Sequence, residues 1–417
     1  SEKSMLNSLW CTSVRTVRAV AVLAFLGASL QAQSQFQILY GFKGGTDGGG
    51  VWDSVTFDQQ GNLYGTTRGG GAYGYGTVFQ LSPDSGGTWF ESVLHSFPLS
   101  TRDASAPTGN LVFDSVGNLY GTAPYVGKHD LGDVFELSPT AFGTWTESVI
   151  YIFGTNRLRD GAFPYSGLSI DQEGNLYGTT PNTVYELTPG PNGWTEHLLH
   201  MFCTKPVCHD GSLANAGVIV GPDGSLYGVT EGGGPFHGGT TYELRHTSTG
   251  WKESLPYSFG SFPKDGSGGG LGDLAMDDLG NLYGATIVGG GTNALCTGGC
   301  GTVYKLTPGP GSQWKETILY NLQGGTAGFR PVGVAVDSLG NVYGTTIAGG
   351  DPLCSCGVVY KVAPDSTGTW TYSVLHTFVG SDGAQPDANM VLYNGNLYGT
   401  TATGGPGGAG VVFEITP

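Results

Sequence analysis

Charged side chains are scarce in this chain of 417 residues, at 12% of the total, and basic side chains are scarcer than acidic ones. There are 17 Lys and Arg residues against 33 Asp and Glu, which gives a net charge of −16 at neutral pH. Proteins that bind nucleic acid or anionic lipid depend on basic patches for affinity and steering. The composition therefore argues against both, and we expect no nucleic-acid partner.

The sequence also lacks an apolar segment long enough to cross a bilayer, which takes about 20 residues. Its most apolar stretch, AVAVLAFLGASL from Ala19 to Leu30, follows two arginines and precedes small residues. This order is typical of a secretory signal peptide, with a retained anchor as the alternative. We predict that residues 1–34 are a cleaved signal peptide. The mature chain would then have no membrane span and be secreted, periplasmic or at the cell surface.

Cysteine is infrequent, with seven residues, of which Cys11 belongs to the predicted signal peptide. The other six fall into three local pairs: Cys203 and Cys208, Cys296 and Cys300, and Cys354 and Cys356. An even number of cysteines in an exported chain indicates disulfides. A zinc site made from the last two pairs is the alternative, but the spacings CTGGC and CSC are poor for it.

Glycine, in contrast, is abundant, with 75 residues, and part of it lies in a repeated heptapeptide. GNLYGTT or a near copy begins at Gly61, Gly117, Gly174, Gly224, Gly280, Gly340 and Gly395. A catalytic motif is usually needed once, whereas a structural unit that cannot bury its own apolar face is needed many times. A repeat interval near 50 residues with strand-like content favours propeller blades.

One repeat, Asp53 to Phe97, divides into four β-like runs that we name strands a, b, c and d: SVTFD, NLYGTT, GTVFQLS and WFESVLHSF. Clusters of Gly, Asp, Ser and Pro separate them. The last repeat stops after strand c, and residues 35–42, QFQILYGF, look like the missing strand d. We therefore predict an all-β, seven-bladed β-propeller of four-stranded blades over residues 35–417. Residues 35–42 would close the ring by pairing with the C-terminal blade, which removes an open sheet edge.

Most recurrent polar residues have a structural explanation in this fold. An Asp three residues before the Gly of the a–b hairpin is expected to hold the turn; it is Asp58, Asp114, Asp171, Asp277 or Asp337. The Tyr of strand b is expected to pack between blades over a hollow left by the following Gly. The expected axis-facing column of strand a is Thr56, Val112, Ser169, Ile219, Ala275, Ala335 and Val391. That column has no acid, base or metal ligand, so we predict no catalytic residues and lean against an enzyme.

The b–c and d–a loops share one face of a propeller, because the strands alternate in direction. These loops are long and irregular here, and variable loops on a rigid scaffold are the usual place for binding sites. The predicted ligand-binding residues on this face are Trp52, Tyr73, Tyr165, Phe236, His237 and Phe329. Aromatic faces stack on sugar rings or anchor protein partners. We therefore predict a monomer that binds a glycan or an extracellular protein.

Five acidic residues recur as Asp-Gly in the d–a loops: Asp47, Asp160, Asp210, Asp265 and Asp382. Carboxylates gathered near one rim could hold Ca²⁺, which prefers oxygen ligands. The interpretation that we favour is a turn into the next blade, because Asp-Gly is common turn chemistry. No other cofactor is predicted.

The pattern DG…P…L…D..GNLYGTT..GG…GTVF.L.P resembles the choice-of-anchor tandem-repeat family called GloVer, found in exported bacterial proteins. The phrase VGVAVDSLGNVYGTT also resembles NHL-type repeats and the virginiamycin-lyase group of propellers. The GloVer resemblance implies export but no established activity. Two alternatives to a binding scaffold stay open. One is a propeller enzyme, such as a lyase or a glycan or lactone hydrolase, and the other is a structural component of the envelope or matrix.

Overall fold

The computed structural model describes residues 34–99, 104–126, 128–155, 159–261 and 264–417, and residues 34–417 form one compact unit. Residues 1–33 of the predicted signal peptide lie outside the described residues. No helix in the described part of the chain is long and apolar enough to cross a membrane.

Seven antiparallel sheets recur along the chain, each with the strand order a-b-c-d from the axis outwards. The innermost strands a span Thr56–Phe57, Val112–Phe113, Ser169–Ile170, Ile219–Val220, Ala275–Met276, Phe329–Val336 and Val391–Tyr393. Strands b span Leu63–Thr67, Leu119–Ala123, Leu176–Thr180, Leu226–Thr230, Leu282–Gly289, Val342–Ala348 and Asn396–Thr401. The predicted seven-bladed propeller is confirmed.

The two outer strands of each blade are longer than strand a in most blades. Strands c span Thr77–Pro83, Asp133–Pro139, Thr183–Gly190, Thr240–Thr247, Thr302–Pro308, Val358–Pro364 and Val411–Thr416. Strands d of blades 1 to 6 span Trp89–Ser96, Trp145–Ile152, Gly193–Met201, Gly250–Ser258, Trp314–Asn321 and Trp370–Thr377. Two further strands, Ala104–Ser105 and Tyr125–Val126, pair on the loop face, and Gly266–Gly269 adds to blade 5. The 3₁₀ turns are Pro206–Cys208, Pro310–Ser312 and Gly325–Ala327.

Strand d of blade 7 comes from the N-terminal side of the described chain. Gln35–Gly41 pairs antiparallel with Val411–Thr416, from Gln35 opposite Thr416 to Gly41 opposite Val411. The Phe36 ring stacks on His376 of blade 6 with 3.7 Å between ring centroids. The predicted closure of the ring is therefore confirmed.

The a–b hairpins show why the heptapeptide is repeated. In blade 1, Asp58 Oδ1 accepts the backbone N–H groups of Gln60 and Asn62 at 2.9 and 2.8 Å, and its Oδ2 accepts the Tyr64 hydroxyl at 3.0 Å. The same bonds form at Asp114, Asp171, Asp277 and Asp337. One carboxylate thus holds the turn and also fixes the Tyr of strand b.

The core lies between neighbouring blades, and strand b is buried on both of its faces. All five residues of strand b are buried in blades 1 to 4. The predicted Gly hollow exists, but the prediction of its occupant was wrong. A Cβ on Gly65 would lie 2.7 Å from Cζ of Phe79, the residue opposite it on strand c. The hollow therefore holds a strand c aromatic, and Tyr64 packs instead against Phe113 and Trp145 of the next blade.

The six cysteines form the three predicted local disulfides: Cys203–Cys208, Cys296–Cys300 and Cys354–Cys356. The alternative of a zinc site made from these cysteines was wrong. Three disulfides point to an oxidising environment.

Candidate ligand site at the mouth of the channel

The propeller axis is a channel of 640 Å³, and the small residues of strand a predicted to face it do line it. Side chains two positions apart on an extended strand point the same way. The residues two positions before the column therefore form a second ring: Ser54, Asn110, Gly167, Gly217, Asp273, Gly333 and Asn389. All of these except Gly333 line the channel.

The second ring contains polar groups that the sequence analysis missed, and their bonds cross from blade to blade. Asp273 Oδ1 accepts the backbone N–H of Gly217 at 2.6 Å. Asn389 Oδ1 accepts the backbone N–H of Asp273 at 3.1 Å, and its side chain occupies the place where a Cβ on Gly333 would lie. The sequence contained a signal for them, because they lie two positions before the axis-facing residues of strand a and so point to the same side of the strand.

Another two positions upstream, the chain presents a third ring: Trp52, Thr108, Tyr165, Asn215, Leu271, Pro331 and Asp387. All of these except Pro331 line a cavity of 230 Å³, together with Asp53, Arg68, Tyr125, Ser166, Ala216, Gly272, Asp273, Ala388 and Asn389. We call this space the mouth cavity. Asp273 and Asn389 also line the channel, so the cavity lies at one end of it.

Loops of the predicted functional face build the mouth cavity. Trp52 and Tyr165 lie in d–a loops, whereas Arg68 and Tyr125 lie in b–c loops. Backbone bonds join the two kinds of loop: Gly49 and Gly69 exchange N–H···O bonds of 2.9 and 3.0 Å, and Arg68 donates to the Gly50 carbonyl at 2.9 Å. The two loop sets therefore act as one framework.

One side of the cavity consists of aromatic rings around a guanidinium group. Arg68 lies 5.2 Å from the ring centroid of Trp52 and 5.3 Å from that of Tyr125, and its Nη2 donates to the Tyr125 hydroxyl at 3.0 Å. Tyr165 lies edge-on to Tyr125, with 5.8 Å between ring centroids. Burial, with the Tyr125 hydroxyl as a second cause, raises the pKa of Tyr165 to about 12. These contacts orient rigid aromatic faces towards the cavity.

Three residues with carboxyl groups, Asp53, Asp273 and Asp387, also line the cavity. Burial raises the pKa of Asp53 well above its usual range, and the negative charge of Asp273 raises it further. Burial also raises the pKa of Asp273, and it raises that of Asp387 to about 6. All three side chains keep some contact with solvent through the cavity although protein surrounds them. Burial and the charge of neighbouring carboxyls thus both oppose ionisation of all three groups at once.

Two polar atoms of the third ring are buried without a hydrogen-bond partner among the described residues. They are Oδ1 of Asp387 and Oδ1 of Asn215. The Asn215 amide nitrogen, in contrast, donates to Glu231 at 2.6 Å. Buried acceptors left unpaired are costly, and such atoms also occur between the blades, among them the Tyr185 and Tyr242 hydroxyl oxygens.

Of the six residues predicted to bind ligand, the structure brings two together. Trp52 and Tyr165 line the mouth cavity, and Trp52 is 38% exposed. Tyr73 and Phe236 are exposed on the loop face, and His237 is exposed with a positive φ of 62°. Phe329 packs partly against the core between blades 5 and 6. None of these four lines the mouth cavity.

The five aspartates considered for calcium do not gather in one cluster. Each accepts bonds from the strand d or d–a loop that leads into its own turn, as Asp160 does from the Tyr151 hydroxyl at 2.9 Å and the Thr155 N–H at 3.0 Å. Asp47, Asp210, Asp265 and Asp382 make corresponding bonds. This placement fits the favoured turn interpretation. Within the described ranges, one trio of potential metal ligands converges, and of the five aspartates it includes Asp210 alone.

Several solved structures have this fold at low sequence identity. Virginiamycin B lyase from Staphylococcus aureus matches with a TM-score of 0.56 at 13% identity, over 92% of this chain and 99% of the lyase. A putative 6-phosphogluconolactonase from Bacteroides uniformis matches with a TM-score of 0.52 at 13% identity, over 81% and 88% of the two chains. An ancestral GH74 enzyme matches with a TM-score of 0.55 at 11% identity, over 89% of this chain and 48% of the enzyme. At such identities the likeness establishes the fold alone.

The fold and the cavity define a seven-bladed β-propeller with a polar and aromatic site at one end of its channel. The sequence profile of the Gloeobacter/Verrucomicrobia repeat matches residues 28–219 and 290–417. The chain belongs to this repeat family. No curated protein matches it in sequence.

Proposed function

We propose that the mouth cavity binds one sugar unit of a glycan. The observation that supports this most is the convergence of Trp52 and Tyr165, from blades 1 and 3, with three carboxyl groups in one cavity. A sugar ring has an apolar face suited to an aromatic side chain and hydroxyl groups suited to carboxylates. At 230 Å³ the cavity is smaller than the about 300–1,000 Å³ typical of drug-sized ligands, so it fits a single unit.

The test is a panel of mono- and oligosaccharides, titrated calorimetrically against residues 35–417 and two single variants, Trp52→Ala and Tyr165→Ala. We expect each substitution to weaken sugar binding about tenfold or more, because hot-spot aromatics commonly contribute about 2 kcal/mol. The melting temperature should change little, because both side chains lie at the cavity surface.

The matched controls are Tyr73→Ala and Phe236→Ala, which remove exposed aromatics of the same face outside the cavity. Both should bind as the unmodified chain does. If these controls lose binding while Trp52→Ala keeps it, the ligand contacts the outer loops and not the cavity. Absence of binding across the panel would overturn the proposal.

A second candidate function is acid–base catalysis in the same cavity, favoured by the Asp53–Asp273 pair. When two interacting carboxyls have separated pKa values, one can donate a proton while the other accepts one. Lyase and lactonase are named among the propellers with this fold. Turnover of a saccharide or lactone by the purified protein, lost in both Asp53→Asn and Asp273→Asn, would favour this function over binding alone.

A further inference from the structure

A second polar cluster lies at the outer contact between blades 3 and 4, where the outermost strands of the two blades meet. Its members are His200 on strand d of blade 3, Asp210 in the following d–a loop, and Glu253 on strand d of blade 4. The His200 Nε2 atom lies 3.8 Å from Asp210 Oδ2 and 3.6 Å from Glu253 Oε1. The three ligand atoms all lie within 4.8 Å of one another.

These atoms converge without bonding to each other. His200 Nε2 and Glu253 Oε1 are buried and have no hydrogen-bond partner within the described part of the chain. The Asp210 side chain is fully buried and that of Glu253 is 8% exposed. A buried imidazole nitrogen beside a buried carboxylate oxygen is costly when neither atom has a hydrogen-bond partner.

At two other blade contacts, the position that corresponds to His200 is a tyrosine. The blade 2–3 contact has Tyr151, Asp160 and Glu196, and the blade 4–5 contact has Tyr257, Asp265 and Glu316. In both, the tyrosine hydroxyl donates to the aspartate, at 2.9 Å from Tyr151 and 3.2 Å from Tyr257. The glutamate Oε1 is without a hydrogen-bond partner at all three contacts within the described residues, so the difference lies in the aromatic residue: each tyrosine hydroxyl bonds to its aspartate, whereas His200 Nε2 makes no such bond.

We propose that His200, Asp210 and Glu253 bind a divalent transition-metal ion, with Zn²⁺ as the best match. Imidazole nitrogen and carboxylate oxygen are both zinc ligands, and three protein ligands with water in the fourth position form a known zinc arrangement. Zinc bonds of about 2.0–2.2 Å place tetrahedral ligand atoms about 3.3–3.6 Å apart. The two distances from His200 Nε2, 3.6 and 3.8 Å, need a contraction of a few tenths of an ångström, and the two carboxylate oxygens lie within 4.8 Å of each other.

Neighbouring residues hold the two carboxylate ligands in place. Glu253 Oε2 is held by Lys205 Nζ at 2.8 Å, which leaves Oε1 to the metal. Asp210 Oδ1 accepts the backbone N–H of Cys203, and its Oδ2 accepts the Thr204 hydroxyl, so the loop closed by the Cys203–Cys208 disulfide orients this ligand. A metal ion would therefore link this loop and blade 3 to blade 4. Hydrogen bonds that orient the metal-binding side chains typically raise metal affinity.

The experiment uses untagged, chelator-treated protein at pH 7.5, titrated with Zn²⁺ and separately with Ca²⁺ by calorimetry, with melting curves at each metal concentration. We expect one Zn²⁺ per chain, a Zn²⁺-dependent rise in melting temperature, and no response to Ca²⁺, because imidazole is a poor calcium ligand. X-ray absorption at the zinc edge should show one imidazole nitrogen and otherwise oxygen ligands.

His200→Tyr installs the residue that the corresponding position has in blades 2 and 4, and it should fold normally while weakening Zn²⁺ binding about tenfold or more. Glu253→Gln should weaken it similarly. His376→Tyr is the matched control, because His376 occupies the same column but bonds to Asp382 at 2.9 Å and belongs to no trio of ligands within the described ranges. Stoichiometric binding that survives in both His200→Tyr and Glu253→Gln, or no Zn²⁺ binding at all, would overturn the proposal.

Discussion

Strand b and the third ring come from the same seven repeats, but they vary in opposite ways. Strand b has Tyr followed by Gly in every blade, whereas the third ring has Trp, Thr, Tyr, Asn, Leu, Pro and Asp, with no residue type used twice. Strand b meets the same environment seven times, between two blades. Six of the seven third-ring residues line the mouth cavity, and their different side chains make its lining asymmetric. Repetition therefore marks the scaffold, whereas varied positions mark the lining of the mouth cavity.

The largest effect on stability is expected from removing the strand that completes the seventh blade. Deleting residues 35–42 should expose the edge of Val411–Thr416 and remove the Phe36 ring from between His376 and Phe413. We expect aggregation or loss of the cooperative melting transition, measured by light scattering and calorimetry against a chain that begins at Gln35. A monomer with an unchanged melting curve would show that the seventh blade does not need this strand.

A smaller change tests the repeated part directly. Gly65→Ala should destabilise the fold by about 1–3 kcal/mol, because the new Cβ would lie 2.7 Å from the buried Phe79 ring. Gly298→Ala is the control, because nothing lies within 4 Å of its Cβ position and its backbone is not in the left-handed region. Chemical denaturation of both variants measures the difference. Equal free energies of unfolding would mean that the Gly column is not a packing requirement.

The smallest expected change in stability concerns the third ring and depends on pH. Burial raises the pKa of Asp387 from 3.8 to about 6, so its carboxyl holds its proton more tightly in the folded chain. Its stabilising contribution is complete below about pH 3.8 and is lost as the pH rises through 6. Asp387→Asn avoids this loss.

We therefore expect Asp387→Asn to gain about 1 kcal/mol in free energy of unfolding relative to the unmodified chain between pH 4 and pH 8. This is a part of the roughly 3 kcal/mol that a shift from 3.8 to 6 corresponds to, because the carboxyl keeps some contact with solvent. Denaturation curves at several pH values across this range would show the gain. A stability difference that does not vary with pH would mean that this carboxyl is not held in its neutral form by burial. A loss of stability at pH 8 would mean that the third ring, like strand b, was selected for folding.

The repeat period predicted the fold well because the turns and strands of each repeat are determined by short segments of sequence. The Asp58 turn, the alternation of strands and the orphan strand d are properties of short segments, and the structure reproduces them. The prediction missed that Phe79, and not Tyr64, fills the hollow at Gly65. This depends on which residue of strand c lies opposite Gly65. Cross-strand register is a contact between segments, and the repeat pattern alone does not specify it.

The sequence by itself determined the number of blades, the way the ring closes, the disulfide pairs and the face on which the variable loops lie. The tertiary structure alone decided which of the variable residues meet. Asp53, Asp273 and Asp387 come from three different blades and look unremarkable in sequence, as do His200 and Glu253 on neighbouring outer strands. The physical reason is that the ring of blades brings together residues about 50 or more positions apart in the chain. No local sequence pattern indicates which of these residues will be in contact.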